Sequence, residues 1–109
     1  MKNKFLGLLG LARRAGSVTY GMTAVLDEIY KRKSKLVILT EDFADNSAKQ
    51  LDKALETDRK NPKVITVPYS KEEIGFSIGS KPTGIVSVSD VNFKKGLLDS
   101  IAAQVGEDT

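Results

Sequence analysis

Cysteine, histidine and tryptophan are absent from the chain. Without cysteine there are no disulfides, thiolate metal sites, iron–sulfur clusters or cysteine nucleophiles. Without histidine the commonest general base, the serine triad in its usual form and most zinc sites are gone too. Catalysis would have to rest on carboxylates, lysines, tyrosines and hydroxyls with shifted pKa values. The expectation is therefore a non-enzymatic protein with no catalytic residue, no metal and no cofactor. Missing cysteines also suit a reducing cytoplasm. Long hydrophobic runs are lacking as well. Phe5–Ala12 is eight small and apolar residues, too short for a membrane span, and Arg13-Arg14 stand where an export signal would place a small-residue cleavage site. The expected setting is cytoplasmic, with no membrane partner.

The 109 residues, 40% of them apolar and 28% charged, suit one domain, since single domains run to about 100–200 residues. Residues 1–109 are read as that domain, expected to be a monomer. The net charge of +3 is unevenly placed: residues 1–35 hold eight basic side chains against two acidic, a balance of +6, and the remainder is acidic. A basic surface for a polyanion would produce this asymmetry. Lysines 31, 33 and 35 with Arg32 at a helix end, where cations suit the helix dipole, would produce it equally well.

Helical and strand patterns alternate along the chain. Asn3 is placed to cap a first helix running through Arg14, with Phe5, Leu8, Leu9 and Ala12 on one face and Gly16 as its stop. Val18–Tyr20 is a short strand, and a second helix is expected from about Met22 to Lys33. Leu36–Leu39, continuously apolar, reads as a strand covered on both faces. Asp45 or Asn46 should cap a third helix with Ala48, Leu51, Ala54 and Leu55 inward. Pro62 breaks it, and Val64–Val67 is the next strand. Ser70 and Glu73 have capping-box spacing, opening a short helix that Gly79 closes. After a last strand, Ile85–Val88, Asp90 should cap a terminal helix with Leu97, Leu98, Ile101 and Val105 inward. This order predicts an α/β protein, a three-layer α/β/α sandwich around a four-stranded mixed sheet.

Familiar catalytic and phosphate motifs fail. Gly75, Gly79 and Gly84 flank Lys81, but the glycine spacing is wrong for a P-loop and Pro82 occupies the place of its hydroxyl residue. Glu41-Asp42 follows a buried strand, where α/β folds place ligand-binding carboxylates, yet adjacent residues on an extended chain point apart. A loop role before helix three is the expectation for them. Lys81-Pro82 with Asp42 lacks the context of a phosphorelay receiver. Gly7 and Gly10 within helix one each cost about 1 kcal/mol relative to alanine, which predicts close packing against that backbone. The seven aromatic residues are scattered without interleaved basic residues, a spacing that argues against an open single-strand groove.

Several blocks together resemble one family. They are Gly21-Met22-Thr23-Ala24-Val25, the run Lys35 to Asp42, and Val67-Pro68-Tyr69-Ser70-Lys71 leading to Ile74-Gly75-Phe76-Ser77-Ile78-Gly79. In this order and at these separations they resemble the ribosomal protein L7Ae family and its L30e relatives, over roughly Leu6 to Leu98. The resemblance implies a compact sandwich that binds RNA, typically a kink-turn: a bulged internal loop with tandem G·A pairs. It implies an RNA surface made by the first turn of helix two, here Gly21, Met22, Thr23 and Ala24, and by the loop before the last strand, here Ser80, Lys81, Pro82 and Thr83. A basic family residue along helix two matches Lys31. Arg13 and Arg14 are expected to add phosphate contacts. The implied partner is ribosomal or other structured RNA, in a ribosome-associated setting.

The residues agree in part. Helix two opens at Gly21, so its free N–H groups can meet a phosphate, although a plain strand-to-helix turn would also select glycine there. Thr23, Asp27 and Lys31 share one face at spacings of four. Thr23 and Ala24 stand where archaeal members carry an Asn-Glu pair that reads the G·A bases, and Asp27 stands where a lysine is frequent. Bidentate base contacts are worth about 1–3 kcal/mol each, so kink-turn affinity should be lower than in those members. The alternative is a protein-interaction module, or an accessory scaffold for an RNA-modifying enzyme, on the same fold with weakened RNA binding.

Overall fold

The computed structural model describes residues 3–57 and 62–107. Helix α1 (Lys4–Arg14) begins as its sequence predicts, with the Asn3 side-chain oxygen accepting the Leu6 N–H at 3.0 Å. Gly16, at φ 79°, ends it: the Ser17 N–H donates to the Ala12 carbonyl and the Gly16 N–H to Arg13. Strand β1 (Val18–Tyr20) leads into α2 (Met22–Tyr30). That helix stops three residues short of the expected Lys33, because Arg32 turns left-handed at φ 59°. The N–H groups of Arg32 and Lys33 then fold back onto the Ile29 and Glu28 carbonyls, a closure that satisfies the orphan acceptors of the last turn. Arginine in that conformation costs about 1 kcal/mol or more.

Strand β2 (Leu36–Leu39), helix α3 (Asp45–Leu55), strand β3 (Lys63–Thr66), helix α4 (Lys71–Ile78), strand β4 (Ile85–Val88) and helix α5 (Val91–Glu107) complete the order. The anticipated capping box of α4 is present, with Ser70 and Glu73 each accepting the other's backbone N–H. Asp90 Oδ1 accepts from Asn92 and Phe93, capping α5. Helix α3 departs from expectation. Its N-cap is Ala44, with no side-chain hydrogen bond, and Asp45 is already in the first turn.

The strands order as β1-β4-β2-β3. Strand β4 runs antiparallel to both β1 and β2, while β2 and β3 are parallel. The sheet is mixed, as expected, but only one of its three pairings is parallel. Side chains alternate across the strands. Leu36, Ile38, Val86 and Val88 join Phe5, Leu9, Ile74, Ile78 and Leu97 in a core beneath α1, α4 and α5. Val37 and Ile85 join Val25, Ile29, Leu51 and Ala54 beneath α2 and α3. The result is a three-layer α/β/α sandwich. Leu97 is fully buried and Leu98 and Ile101 are partly so, whereas Val105 lies outside the described side chains.

The two glycines of α1 behave differently. A Cβ on Gly10 would lie 2.9 Å from the Ser77 carbonyl oxygen, so the close neighbour is helix α4 rather than the sheet. Gly7 has nothing within 4 Å and faces open space, contrary to the expectation of close packing.

One polar pair is enclosed beneath the α2/α3 layer. The Ser34 and Ser87 hydroxyls lie 2.7 Å apart and both residues are buried. Ser87→Ala leaves the Ser34 hydroxyl without its partner, which should cost about 1–3 kcal/mol in urea denaturation. The double alanine variant should lose less than the two single variants together, by about 0.5 kcal/mol or more. Strict additivity would show that the pair does not act as a unit.

Candidate nucleic-acid interface

The antiparallel β1–β4 pairing sets the site, because it brings the start of α2 to the loop that feeds β4. The Gly21 N–H donates to the Ile85 carbonyl at 3.2 Å. Gly21 itself has φ 85° and ψ 151°, a conformation essentially reserved for glycine. With no side chain there, α2 has no side-chain cap, and the N–H groups of its first turn stay available.

The opposing loop is held by α4. A Cβ on Gly75 would lie 2.5 Å from the Lys81 carbonyl oxygen and 2.9 Å from the Pro82 Cα, so the chain can cross here only over a bare backbone. Gly79 turns the chain at φ 71°, the Ser80 N–H donates back to the Gly75 carbonyl, and the Thr83 N–H donates to the Lys71 carbonyl.

Gly21, Met22, Pro82 and Thr83 line one groove of about 240 Å³. Six residues not anticipated from the sequence join them: Phe43, Ala44, Ser47, Lys71, Gly84 and Ile85. Ala44 and Ser47 belong to the uncapped start of α3. Among the five helices, α1, α4 and α5 carry side-chain caps, while α2 and α3 carry none. Both uncapped N-termini therefore border the same groove, together with the Lys71 ammonium stem. Two helix dipoles and one lysine place partial positive charge at this groove. Asp45, in the first turn of α3, offsets part of it.

The remaining expected site residues are spread around this groove. Thr23 and Ala24 are exposed on the first turn of α2, and Lys81 and Pro82 are exposed on the loop. Thr83 is buried and its hydroxyl donates to the Ile85 carbonyl at 3.1 Å; the Ser80 hydroxyl donates to the Lys81 carbonyl at 2.7 Å. Those two hydroxyls already have partners in the loop. Lys31 sits at the opposite end of α2, about 15 Å along the axis from Gly21. Its ammonium pairs with Asp27 at 3.0 Å, both side chains 59% exposed. Arg13 stacks its guanidinium 5.5 Å from the centre of the Tyr20 ring, beside Gly21. Arg14 lies apart from the groove, in a second depression with Phe76.

Asp42 has a structural task. Its carboxylate accepts the Lys71 N–H at 3.1 Å, so beyond the loop role expected from the sequence it serves the start of α4. No group of three or more acidic, histidine or cysteine residues able to hold a metal occurs among the described residues. No helix among them is long and apolar enough to cross a membrane.

Comparison with known proteins returns a family model described as the ribosomal protein L7Ae/L30e/S12e/Gadd45 family, matching residues 3–98. An RNA-binding protein, YlxQ, of Bacillus subtilis is 41% identical over 95 residues, covering 84% of this chain and 88% of that protein. The large ribosomal subunit protein eL8 of Thermoplasma volcanium is 29% identical, covering 96% and 85% of the two chains. A solved Bacillus halodurans structure is similar with a TM-score of 0.81 at 28% identity, covering 93% of this chain and 99% of that one.

Proposed function

The chain belongs to the ribosomal protein L7Ae/L30e/S12e/Gadd45 family, and from that premise we propose that it is a non-enzymatic, ribosome-associated RNA-binding protein. It recognises a kink-turn-like element through the start of α2 and the loop before β4. The observation that carries this reading is the convergence of two uncapped helix N-termini, Lys71 and the Pro82-Thr83 part of the loop before β4 on one groove. The names of the Bacillus subtilis and Thermoplasma volcanium relatives support RNA as the partner.

Phosphates meet the N–H groups at the start of α2 and α3, and Lys81 and Arg13 add positive charge at the rim. Such contacts set position and orientation, while the shape of the folded RNA supplies specificity. Phe43 and Met22 give the groove an apolar lining against which an unstacked base can rest. Thr23 offers one hydroxyl where base edges approach, and Ala24 offers none, so recognition leans on shape.

The test is a titration of kink-turn RNA, and of the same RNA with its G·A pairs changed to Watson–Crick pairs, at two salt concentrations. Tighter binding of the kink-turn form is expected, with affinity falling steeply as salt rises. Lys81→Ala should weaken both RNAs and reduce the salt slope by roughly one. Lys31→Ala should have a smaller effect, because Asp27 already neutralises that ammonium. Unchanged affinity in both variants would remove this surface from consideration, and absence of binding to either RNA would favour the protein-interaction reading.

A further inference from the structure

We propose that two copies of this chain pair through the outer face of α1, each inserting its Phe76 into the other's depression between α1 and α5. This surface shares no lining residue with the RNA groove, and the pairing runs against the monomer expected from the sequence. Helix α1 packs against α4 on one side and α5 on the other. Its buried residues include Phe5, Leu9 and Ala12, which leaves Gly7 on the outward face, exposed and with nothing within 4 Å of its Cβ position. A depression flanks Gly7 on each side, and Gly7 lines both. Towards α5 the depression is about 540 Å³, walled by Leu8, Leu11, Gly96 and Ala103. Towards α4 stands Phe76, 88% exposed, the most open large apolar side chain among the described residues.

A projecting ring on one flank and a hole on the other suit a two-fold pair, because an isologous contact joins a surface to itself. A two-fold axis running along α1 above Gly7 turns α4 of one copy over the α1/α5 flank of its partner. The levels agree: the depressions follow the same stretch of α1, Asn3 to Arg14 on one side and Lys4 to Leu11 on the other. Each depression has one base and one acid in its lining, Lys4 with Asp99 and Arg14 with Glu73. The face is therefore balanced in charge, which suits a second protein copy and not a polyanion. Helix α4 runs alongside α1 in the same direction, since Tyr69 meets Asn3 and Ser77 meets Leu6. The axis thus carries Glu73 to the level of the partner's Lys4, an opposite charge. A buried aromatic ring covers about 150–250 Å². Ring and hole occur once on each copy, so together they supply a large share of the roughly 800 Å² per partner of a standard interface.

Sedimentation equilibrium between about 1 µM and 1 mM protein reads the pairing, with the mass expected to rise from 11.9 kDa towards twice that value. Phe76→Ala should weaken association about a hundredfold, roughly tenfold for each of the two rings lost. Ala103→Arg, which fills and charges the hole, should do the same. Both positions are exposed, so urea midpoints and kink-turn RNA titrations of the two variants should match wild type. A mixture of the variants completes the test, because one keeps the hole and the other keeps the ring. The mixture should pair about tenfold more tightly than either variant alone. Wild type that stays at the monomer mass throughout overturns the proposal and leaves the face to a different protein. Undiminished pairing of Phe76→Ala, or a mixture no tighter than its components, overturns it as well.

Discussion

Gly75→Ala should destabilise the protein by about 1–3 kcal/mol and weaken RNA binding in the molecules that remain folded. The added methyl would meet the Lys81 carbonyl oxygen and carbon and the Pro82 Cα, at 2.5, 2.9 and 2.9 Å. All three are backbone atoms, so no flexible side chain can give way. Either α4 moves outward or the 80–83 loop lifts, and the loop is the part with fewer buried contacts. Lifting it carries Lys81 and Pro82 away from Gly21 and opens the groove. Gly7→Ala is the matched control. With nothing within 4 Å of its Cβ position, alanine there should raise stability by up to about 1 kcal/mol through helix propensity alone. Urea midpoints and RNA titrations of both variants read the two effects separately. A wild-type midpoint and wild-type affinity for Gly75→Ala would show that α4 does not hold the loop.

Phe5→Ala should be costlier still for stability, about 3–5 kcal/mol, against a typical total of about 5–15 kcal/mol for a domain. Phe5 is fully buried and its ring stacks on Tyr69, centroids 5.7 Å apart and 16° from parallel. Removing it leaves a cavity and frees Tyr69. The Tyr69 hydroxyl accepts from the Asn3 amide and donates to Gln104, each at 2.7 Å, so it ties the start of α1 to α5. For a domain of this size the melting temperature should fall by about 15–25 °C. Phe5 lies in the α1/α4/α5 core, away from the groove. RNA affinity of the folded fraction should therefore be unchanged, and that separates this variant from Gly75→Ala. A melting temperature within a few degrees of wild type would mean that the core closes over the cavity.

The elements easiest to read from the sequence are those whose signals are local. Asn3 and Ser70 announce helix starts because the acceptor and its N–H partner lie three residues apart. The unbroken apolar run of β2 announces a strand with both faces covered, and Leu36, Val37 and Ile38 are indeed buried on alternating sides. The loop glycine at Gly79 and the opening glycine at Gly21 were visible for the same reason. Pairing is different. Whether β4 enters beside β1 or β3 depends on contacts between residues far apart in the chain, so the antiparallel majority of the sheet was not legible.

Parts of the site were hidden by competing local signals. Asp45 and Asn46 are good capping residues, yet the chain places Ala44 at the cap of α3 and leaves that end open. Asp42 looked like part of the same turn, but it reaches across to Lys71 on another element. Phe43, Ser47 and Lys71 enter the groove only because β2 and β4 lie side by side. Gly7 and Gly10 are indistinguishable by propensity, and only the position of Ser77 separates them.

The order of the strands also has a consequence for synthesis on the ribosome. Strand β1 has β4 as its sole neighbour in the sheet among the described residues, and the Gly21 N–H donates to the Ile85 carbonyl. A nascent chain that has emerged only as far as β3 holds Gly21 and the start of α2 but cannot place them, since their counterpart has not yet been made. Closing so long a loop is a late event in folding. The groove thus assembles only after β4 has left the exit tunnel, and a product interrupted before β4 lacks it.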